Sequence, residues 1–478
     1  MPPCAPGWNS SWRSIETPSP LLSSRTPTLG KKLILTSSQK PTLARLVGKW
    51  AKVEAGEEPG VVTAFLLYFC VFAGYFAVRP VRETVGTILG AVRVSDLFVI
   101  TWIASIALVP AYGALCSRFR RQTFLPWIYG FVALSLGSCG LVFIQGENHP
   151  GAGAFFYVLI SVLNLFIVSV FWSFLLEMFD SGQAKRLFGV IAAGGTAGAL
   201  TGPVVTGLLV GKIGNSGVLM FGAGMFIIAI VCQRILLRIW VGGGPVAGAV
   251  GTEPKHDRPI GGNPFAGFWL VLKSPYLLGI SLFVVLLAAV NTFLYFEQLQ
   301  LVKETFKDTA QRTRVFSQLD ATVQGLTILC QIFLTGRFAS KWGVGALLTA
   351  VPIAMVAGLL ALASFHTFAV LAVVIVARRV GEYAFVRPGR EMLFSKLDTE
   401  TKYKAKNLID VPVYRGGDAL VAKITTAVNA AGWSPALLGA AFAAAWAGMG
   451  WWLGRRGEHV AKPGSTPAGE QAKVVSSD

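Results

Sequence analysis

Long stretches without a charged residue divide this sequence, and they constrain the fold more than any other feature. Nothing is charged between Lys341 and Arg378, for example. A helix that crosses a bilayer needs about 20 apolar residues. Stretches of this kind lie within 58–79, 96–118, 121–147, 147–177, 186–212, 212–234, 273–297, 320–337, 341–378 (broken at His366, so that it holds parts of two helices) and 434–454. A further predicted helix, which does contain charged residues, spans about 411–433. We therefore expect an all-α membrane protein with about twelve transmembrane helices.

The composition agrees with a surface that faces lipid. Hydrophobic residues make up 53% of the 478 residues and charged residues only 14%, against about 25% charged in soluble domains. Because the bilayer core contains no water, apolar side chains can cover such a surface. The six cysteines form no CxxC pair and the four histidines lie in predicted loops or tails. We expect no metal site, no cofactor and no enzyme activity.

The net charge of +18 has a topological explanation. In a soluble chain this charge would suggest a nucleic-acid partner, and here we expect none. If the N-terminus is cytoplasmic, 30 of the Lys and Arg residues fall in cytoplasmic segments and 8 in outer loops. This bias obeys the positive-inside rule. We expect a multi-pass protein of the bacterial inner (plasma) membrane with both termini in the cytoplasm.

Low-complexity stretches divide the chain into two halves of six helices. Residues 1–55 are rich in Ser, Thr and Pro and contain no apolar region of the kind found in a signal peptide. A Gly-rich stretch follows the sixth predicted helix. The expected units are a disordered basic tail (1–55), a six-helix bundle (56–240), a cytoplasmic linker (241–272), a second bundle (273–456) and a disordered tail (457–478). This is the layout of the major facilitator superfamily.

Two short segments occur twice in the chain. The nonapeptide YFAVRPVRE at 75–83 returns as YAFVRPGRE at 383–391, with six of nine positions identical. The first copy follows a helix that runs outward and the second a helix that runs inward, as inverted three-helix repeats require. The heptapeptides AKRLFGV at 184–190 and AKNLIDV at 405–411 follow helices 4 and 10, which run in one direction. That relation fits a parallel repeat of the two halves.

Glycines cluster inside the predicted fifth helix. The run from Gly194 to Gly198 is followed by Gly202, and all of these residues lie in an apolar stretch. Small residues at helical spacing let two membrane helices approach closely. We expect this stretch to pack tightly against another helix.

Three charged residues fall in the middle of the predicted tenth helix. Arg378, Arg379 and Glu382 lie about midway between His366 and Arg387. Each charge at the bilayer centre costs roughly 2.5–3.5 kcal/mol. One Glu cannot neutralise two Arg, so a surplus positive charge would remain for an anionic ligand. The alternative is an internal ion-pair network with acids on other helices.

The predicted eleventh helix also carries charge. Arg415 and Asp418 lie three residues apart near its cytoplasmic end, and Lys423 lies deeper. Lys423 is a candidate cavity cation. Alternatively it pairs with Asp418 or extends its amine towards the membrane surface.

A cationic segment follows the first predicted helix on its outer side. Arg79 and Arg82 are three residues apart, Glu83 is next, and Pro80 ends or kinks the helix. Two arginines at this spacing can hold an anion from two sides. The alternatives are an anchor at the outer interface or a gate that pairs with acids of the other half.

Charged residues also fill the loops after helices 4 and 10. The first loop carries Lys185, and the second carries Arg387, Arg390 and Glu391. Opposite charges in these loops would form a cytoplasmic gate when the cavity opens outward. The alternative is a pair of solvated loops.

Several segments together resemble a known family. They are RPVRETVG at 79–86, FWSF at 171–174 with QAKRLFG at 183–189, SPYLLG at 274–279, RPGREMLF at 387–394, and YKAKNLID at 403–410 leading to YRGGD at 414–418. The chain resembles the bacterial branch of the major facilitator superfamily that is grouped with the ATP/ADP translocases. Proven nucleotide exchangers carry an Arg-Asp-x-Lys-Asp-like run at the end of helix 1. Here Arg79, Arg82 and Glu83 take the places of Arg, Lys and the last Asp, and Pro80 replaces the first Asp.

The sequence therefore predicts a secondary transporter of an organic anion, with ATP/ADP exchange implied by the resemblance. The expected substrate contacts are Arg79, Arg82, Arg378, Arg379 and Lys423. The expected organising or gating residues are Glu83, Glu382, Arg415, Asp418, Lys185, Arg387, Arg390 and Glu391. The expected partners are the substrate and the bilayer, and the expected state is a monomer. The alternatives are a proton-coupled exporter of other small molecules and a non-transporting scaffold or receptor.

Overall fold

A computed structural model describes residues 53–54, 56–118, 121–146, 149–179, 181–241, 266–395, 397, 405–406, 408–432 and 435–460. All of them belong to one compact unit, Ala44–Asp478. Residues 1–52, most of the predicted linker and the end of the chain lie outside the described residues, so the predicted tails and linker stay predictions there. Regular structure in the described ranges is helical throughout, which confirms the all-α class.

Six long helices form the first half. They are α1 (Glu58–Leu89), α2 (Ala91–Arg118), α3 (Arg121–Gln145), α4 (Pro150–Met178), and the segment Ser181–Val241, which Gly214 divides into α5 (181–213) and α6 (215–241). Gly214 has φ 66°, a left-handed conformation that a glycine adopts without steric strain. The whole segment would extend to roughly 90 Å as one straight helix, three times the hydrocarbon core. The break at Gly214 lets it cross twice.

The second half repeats this arrangement after a short helix, Ala266–Lys273. Its helices are α7 (Pro275–Thr305), α8 (309–342), α9 (344–364), α10 (368–394), α11 (409–430) and α12 (Pro435–Val460). Gly343, with φ 73°, separates α8 from α9 as Gly214 separates α5 from α6. The described residues thus form twelve long helical segments, in agreement with the predicted number.

Three turns of π-helix occur in the described part of the second half. They are Gln331–Thr335 in α8, Glu382–Val386 in α10 and Ile409–Val413 at the start of α11. A π-turn contains an extra residue and leaves backbone carbonyls without their usual donor. Side chains of α8 supply two such donors, because Gln331 and Thr335 donate to the carbonyls of Tyr383 and Ala384 at 3.2 and 2.8 Å. The π-turns of α8 and α10 are therefore joined.

The outer surface is apolar. Among the described residues, seven helices are long and apolar enough to cross a membrane, and two of these contain both arms of a broken segment. Leu134, Leu208, Ile332 and Val373 are each at least 67% exposed. Such side chains would not be stable in water over so many helices, and lipid solvates them.

Each half has its own apolar core. Phe156, Phe171 and Phe226 are fully buried in the first half, and Phe283 and Trp446 in the second. A smaller cluster that includes Val94, Phe296 and Phe316 joins the halves.

Helices α1 and α5 are in backbone contact. A Cβ atom at Gly194 or Gly198 would lie 2.4 Å from a carbonyl oxygen of α1, and one at Gly202 would lie 2.7 Å from another. The prediction of close packing at these glycines is confirmed.

An even number of crossings puts both ends of the bundle on one side. We call this side the termini face, at Glu58 and Val460, and the opposite side the far face, at Leu89 and Thr305.

Several predicted boundaries were wrong. Helix α1 does not end at Arg79 but continues through Pro80 to Leu89. Helix α8 begins at Thr309, so Asp320 lies inside it rather than at its start. Residues 266–273 at the end of the predicted linker are helical, and α12 extends to Val460. In α1, α8 and α12 a charge or a change of composition marks an apparent helix end, whereas the backbone continues as helix.

Candidate functional site

A polar cavity of about 450 Å³ lies between the two halves. This volume falls in the range of roughly 300–1,000 Å³ that is typical of small-molecule sites. Its charged lining residues are Arg79, Arg82, Glu83, Asp320, Arg378, Arg379, Glu382, Arg387, Arg390, Asp410, Arg415 and Asp418. Ten of the thirteen residues singled out in the sequence line the cavity, and Lys185, Glu391 and Lys423 do not.

Asp320 is an acid at the centre of the cavity that the sequence did not suggest. Arg379 Nη1 donates to its Oδ1 at 2.5 Å, and Arg79 Nη1 lies 3.7 Å from its Oδ2. Because Arg79 belongs to α1 and Arg379 to α10, this carboxylate lies between cations of the two halves. In the sequence its charge marks the apparent start of a helix, and no charged residue within one helical turn indicates a partner.

Glu382 holds two arginines of its own helix. Arg378 Nη1 donates to one carboxylate oxygen at 2.9 Å, and Arg387 Nη2 donates to the other at 3.1 Å. The second pair is five residues apart, and the π-turn at Glu382–Val386 brings these residues onto one face. The Arg387 guanidinium also lies over the ring of Tyr383, 4.5 Å from its centroid. The contact of Glu382 with Arg378 is the one that their helical spacing predicts, and Arg387 lines the cavity instead of a loop.

Helices α1, α4 and α11 meet at Ser161. Arg82 Nη1 donates to the Ser161 hydroxyl at 3.1 Å, and Arg415 Nη2 donates to its backbone carbonyl at 3.3 Å. Arg82 also pairs with Glu83 at 2.6 Å and lies over the ring of Tyr157. The cationic segment of α1 is thus inside the cavity, which corrects the expectation of a position beyond the end of the helix.

The charged residues near the end of α10 pair within the second half. Arg390 Nη2 lies 3.0 Å from Asp410 Oδ1, and Lys406 Nζ lies 2.5 Å from Glu391 Oε2. Lys185 is exposed at the start of α5. The predicted pairing of these loops across the halves is not among the ion pairs of the described residues, and a role as a gate stays a prediction.

Lys423 is not in the cavity. Its ammonium pairs with Asp96 of α2, and both side chains are about half exposed. This pair joins the two halves near the far face. Placing Lys423 among the substrate contacts was wrong, because helix periodicity turns it away from Asp418 and towards α2.

The cavity carries an excess of positive charge. Seven arginines face five carboxylates among its lining residues, which leaves two positive charges when all are ionised. Several guanidinium donors also have no hydrogen-bond acceptor among the described residues, although they are buried. They are Nε and Nη2 of Arg379 and the Nε atoms of Arg378, Arg82, Arg390 and Arg415. A buried donor without an acceptor costs about 1–3 kcal/mol, so these donors favour a ligand that brings oxygen acceptors.

Hydroxyl hydrogen bonds join the two halves towards the far face. Thr313 of α8 donates to Asn215 of α6 at 2.6 Å and bonds to Thr84 of α1 at 2.6 Å. Arg312 donates to Thr87 at 3.1 Å and also to three backbone carbonyls near the end of α7. The cavity is therefore closed at this end by side chains of α1, α6 and α8.

A helical bundle with a lipid-facing surface and a charged cavity between two halves defines a multi-pass membrane transporter. Members of the Major Facilitator Superfamily have this architecture, and the sequence model of that family matches residues 64–395. The chain belongs to the Major Facilitator Superfamily. The resemblance to its ATP/ADP translocase branch is not tested by this match.

Solved structures show the same fold at low sequence identity. A bacterial homologue of the iron transporter ferroportin in an inward-facing state is 13% identical, with a TM-score of 0.60 over 84% of this chain and 98% of that chain. The POT family transporter PepTSo is 14% identical, with a TM-score of 0.58 over 84% of this chain and 98% of that chain. A variant of the nucleoside transporter NupG is 14% identical, with a TM-score of 0.56 over 84% and 99%. A comparison with curated proteins found no match.

Proposed function

We propose that this protein is a secondary transporter that moves an organic anion by alternating access, with exchange of ATP and ADP as the candidate substrate pair. The observation that carries this proposal is the excess of two positive charges in one cavity, together with buried guanidinium donors that have no acceptor. We further propose that it is a monomer of the bacterial inner membrane with both termini cytoplasmic.

Arginine chemistry supports an anion with several oxygens. A guanidinium group is planar and offers five donors, of which one carboxylate partner can accept only two at once. Arg379 donates one of these to Asp320 and keeps two buried donors unpaired. Carboxylate and phosphate groups match this geometry with two parallel hydrogen bonds.

The aromatic lining supports a substrate with a planar part. The cavity includes the rings of Tyr75, Phe76, Tyr157, Tyr383 and Tyr414. Rings of this kind stack on flat groups such as nucleobases. The resemblance of the segment from Arg79 to Glu83 to nucleotide exchangers points in the same direction, and one of the structural neighbours is a nucleoside transporter.

The closed far face supports alternating access. The hydroxyl contacts of Thr84 and Thr313 close that end, whereas the lining includes Arg387, which is 53% exposed, and Arg390 towards the termini face. We infer that the cavity faces the compartment that contains the termini. A rocking motion of the two halves would break the far-face contacts and expose the same arginines to the other side.

Uptake of labelled ATP by intact bacterial cells that express the protein tests the proposal, with a chase of unlabelled ADP. Saturable uptake followed by efflux on the chase is expected. Arg379→Gln is expected to abolish uptake, and because it also leaves Asp320 without its nearest cation, uptake is compared per amount of folded protein in the membrane. Arg337→Gln, a matched change at an exposed arginine of α8, should transport like the wild type.

Other outcomes separate the remaining candidates. Flux of other anions without ATP would keep the anion transporter and remove the nucleotide. Flux of uncharged or cationic compounds would favour an exporter of other small molecules. A folded protein that moves none of a broad panel of solutes in proteoliposomes would favour a scaffold or receptor.

A further inference from the structure

The five carboxylates of the cavity differ in how closely an arginine approaches them. The nearest guanidinium nitrogen lies 2.6 Å from Glu83, 2.5 Å from Asp320, 2.9 Å from Glu382 and 3.0 Å from Asp410. For Asp418 the distance is 3.7 Å. Asp418 is therefore the carboxylate of this set that its nearest arginine approaches least closely.

Asp418 is nevertheless buried. Its side chain is 4% exposed, and Thr292 of α7 donates to its Oδ1 at 3.1 Å. A hydroxyl group donates to a carboxylate and can equally accept from a protonated carboxyl, so it serves both states. A buried carboxylate without a bound cation is costly, and a proton removes that cost.

The charged groups around Asp418 come from three helices. Arg415 lies on its own helix, and Arg378 and Glu382 face it from α10. Helix α10 thus brings one charge of each sign, and these two are bound to each other at 2.9 Å. Helix α2 also packs against α11, where its Asp96 is bound to Lys423. Arg415 is therefore the cation that remains to balance Asp418.

Arg415 is shared between the two halves. Its Nη1 lies 3.7 Å from Asp418, while its Nη2 donates to the carbonyl of Ser161 on α4 at 3.3 Å. Arg82 of α1 donates to the hydroxyl of the same serine. A charged Asp418 attracts the guanidinium of Arg415 away from Ser161. A neutral Asp418 does not, so the hydrogen bond from Arg415 to the Ser161 carbonyl of the first half is then unopposed.

We propose that Asp418 is the proton-binding group of this transporter and that one proton moves together with the anion. The inference rests on the proposed function. Asp418 takes up a proton from the compartment to which the cavity is open, which neutralises the carboxylate and raises the excess positive charge from two to three. Arg415 is then free to bind the anion. After the halves rock, the proton and the anion leave on the other side, and Asp418 is again charged.

A pH jump without any substrate tests the proton site independently of substrate identity. Proteoliposomes on a solid-supported membrane are exposed to a step in external pH, and the displaced charge is recorded. The wild type is expected to give a transient current that protein-free liposomes lack. Asp418→Asn should reduce the current to the level of protein-free liposomes, and Asp418→Glu should restore it. Asp308→Asn, the same change at an exposed residue that starts α8, should leave the current unchanged.

Labelled ATP then tests the coupling. In proteoliposomes with equal pH on both sides, Asp418→Asn should still exchange labelled for unlabelled ATP, whereas accumulation driven by an imposed pH gradient should occur only with wild type and Asp418→Glu. A wild-type current that persists in Asp418→Asn, or a wild type without any current, would overturn the proton site. A current that behaves as expected without ATP transport would leave the proton site standing and reject the nucleotide as substrate.

Discussion

Asp320 and Arg379 form an ion pair between α8 and α10, with 2.5 Å between Oδ1 and Nη1. The other oxygen of Asp320 lies 3.7 Å from Arg79, which belongs to the first half of the molecule. This single carboxylate therefore faces cations on both sides of the cavity. An anionic substrate would compete with it for both arginines.

Replacement of Asp320 by Asn should destabilise the empty protein. Removing one partner of a buried pair leaves an uncompensated charge, and such changes cost about 3–5 kcal/mol. The double change Asp320→Asn with Arg379→Gln should recover part of the loss, because the stranded charge is gone. Thermal unfolding of the purified protein in detergent measures both effects. Losses that simply add in the double variant would show that the two residues do not interact.

A cross-link at the far face should stop transport reversibly. The hydroxyl oxygens of Thr84 and Thr313 are 2.6 Å apart, close to the distance of about 2.0 Å between the two sulfur atoms of a disulfide. In a background without the six natural cysteines, the pair Thr84→Cys and Thr313→Cys should lose uptake on oxidation and regain it on reduction. Either single variant is the control. Full uptake by the oxidised pair would mean that the far face does not need to open.

Substitution of Gly198 by Ala should weaken the packing of α1 against α5. The added Cβ would lie 2.4 Å from the carbonyl oxygen of Phe69, and overpacking of this kind typically costs 1–3 kcal/mol. Gly224→Ala is the matched control, because a Cβ there has no neighbour within 4 Å. Melting temperatures in detergent give the comparison. Equal stability of the two variants would argue against backbone contact between these helices.

Acid should loosen the junction between Glu57 and the start of α5. Burial raises the pKa of Glu57. Its carboxylate also accepts hydrogen bonds from the Glu54 amide, Arg186 and Gln183, and these lower the pKa by more than burial raises it. The pKa of Glu57 therefore lies below its ordinary value. A depressed pKa means that this group stabilises the folded state at neutral pH and that the contribution is lost as pH falls through the acid range.

The Glu57→Gln variant should therefore melt at a lower temperature than the wild type near neutral pH, and the difference should shrink as the pH falls towards the pKa of Glu57. The neighbouring exposed residue Glu58 provides the control, since Glu58→Gln removes the same charge from the first turn of α1. A constant difference between wild type and Glu57→Gln at all pH values would show that the contacts matter through geometry and not through charge.

Most of the fold follows from the charge-free stretches, because lipid tolerates only apolar side chains on helix surfaces. The same rule fails inside the molecule. Asp320 and Arg79 lie in helices, but their charges interrupt the apolar pattern and shorten the predicted spans. A helix that lines a polar cavity can keep charges wherever partners from other helices reach them, and those partners are far away in sequence.

The candidate site divides in the same way. Arg378 and Glu382 are four residues apart, so their contact can be predicted from helical spacing. The pair of Glu382 and Arg387 requires a π-turn, which nothing in the sequence pattern indicates. Lys423 was wrongly placed in the cavity because of its depth in the predicted helix. The face of α11 on which it lies turns its side chain towards Asp96 of α2 instead.

The two copies of the repeated nonapeptide differ in backbone conformation. Residues 75–83 are α-helical throughout. In the second copy, residues 383–386 belong to a π-turn and the residues from Arg387 onwards are α-helical. The matching residues Arg79 and Arg387 consequently differ, with side chains that are 19% and 53% exposed. The cavity therefore lacks true two-fold symmetry despite the repeated nonapeptide. A bound molecule with unlike ends has one preferred orientation, and the same end will lead whenever it departs towards a given side.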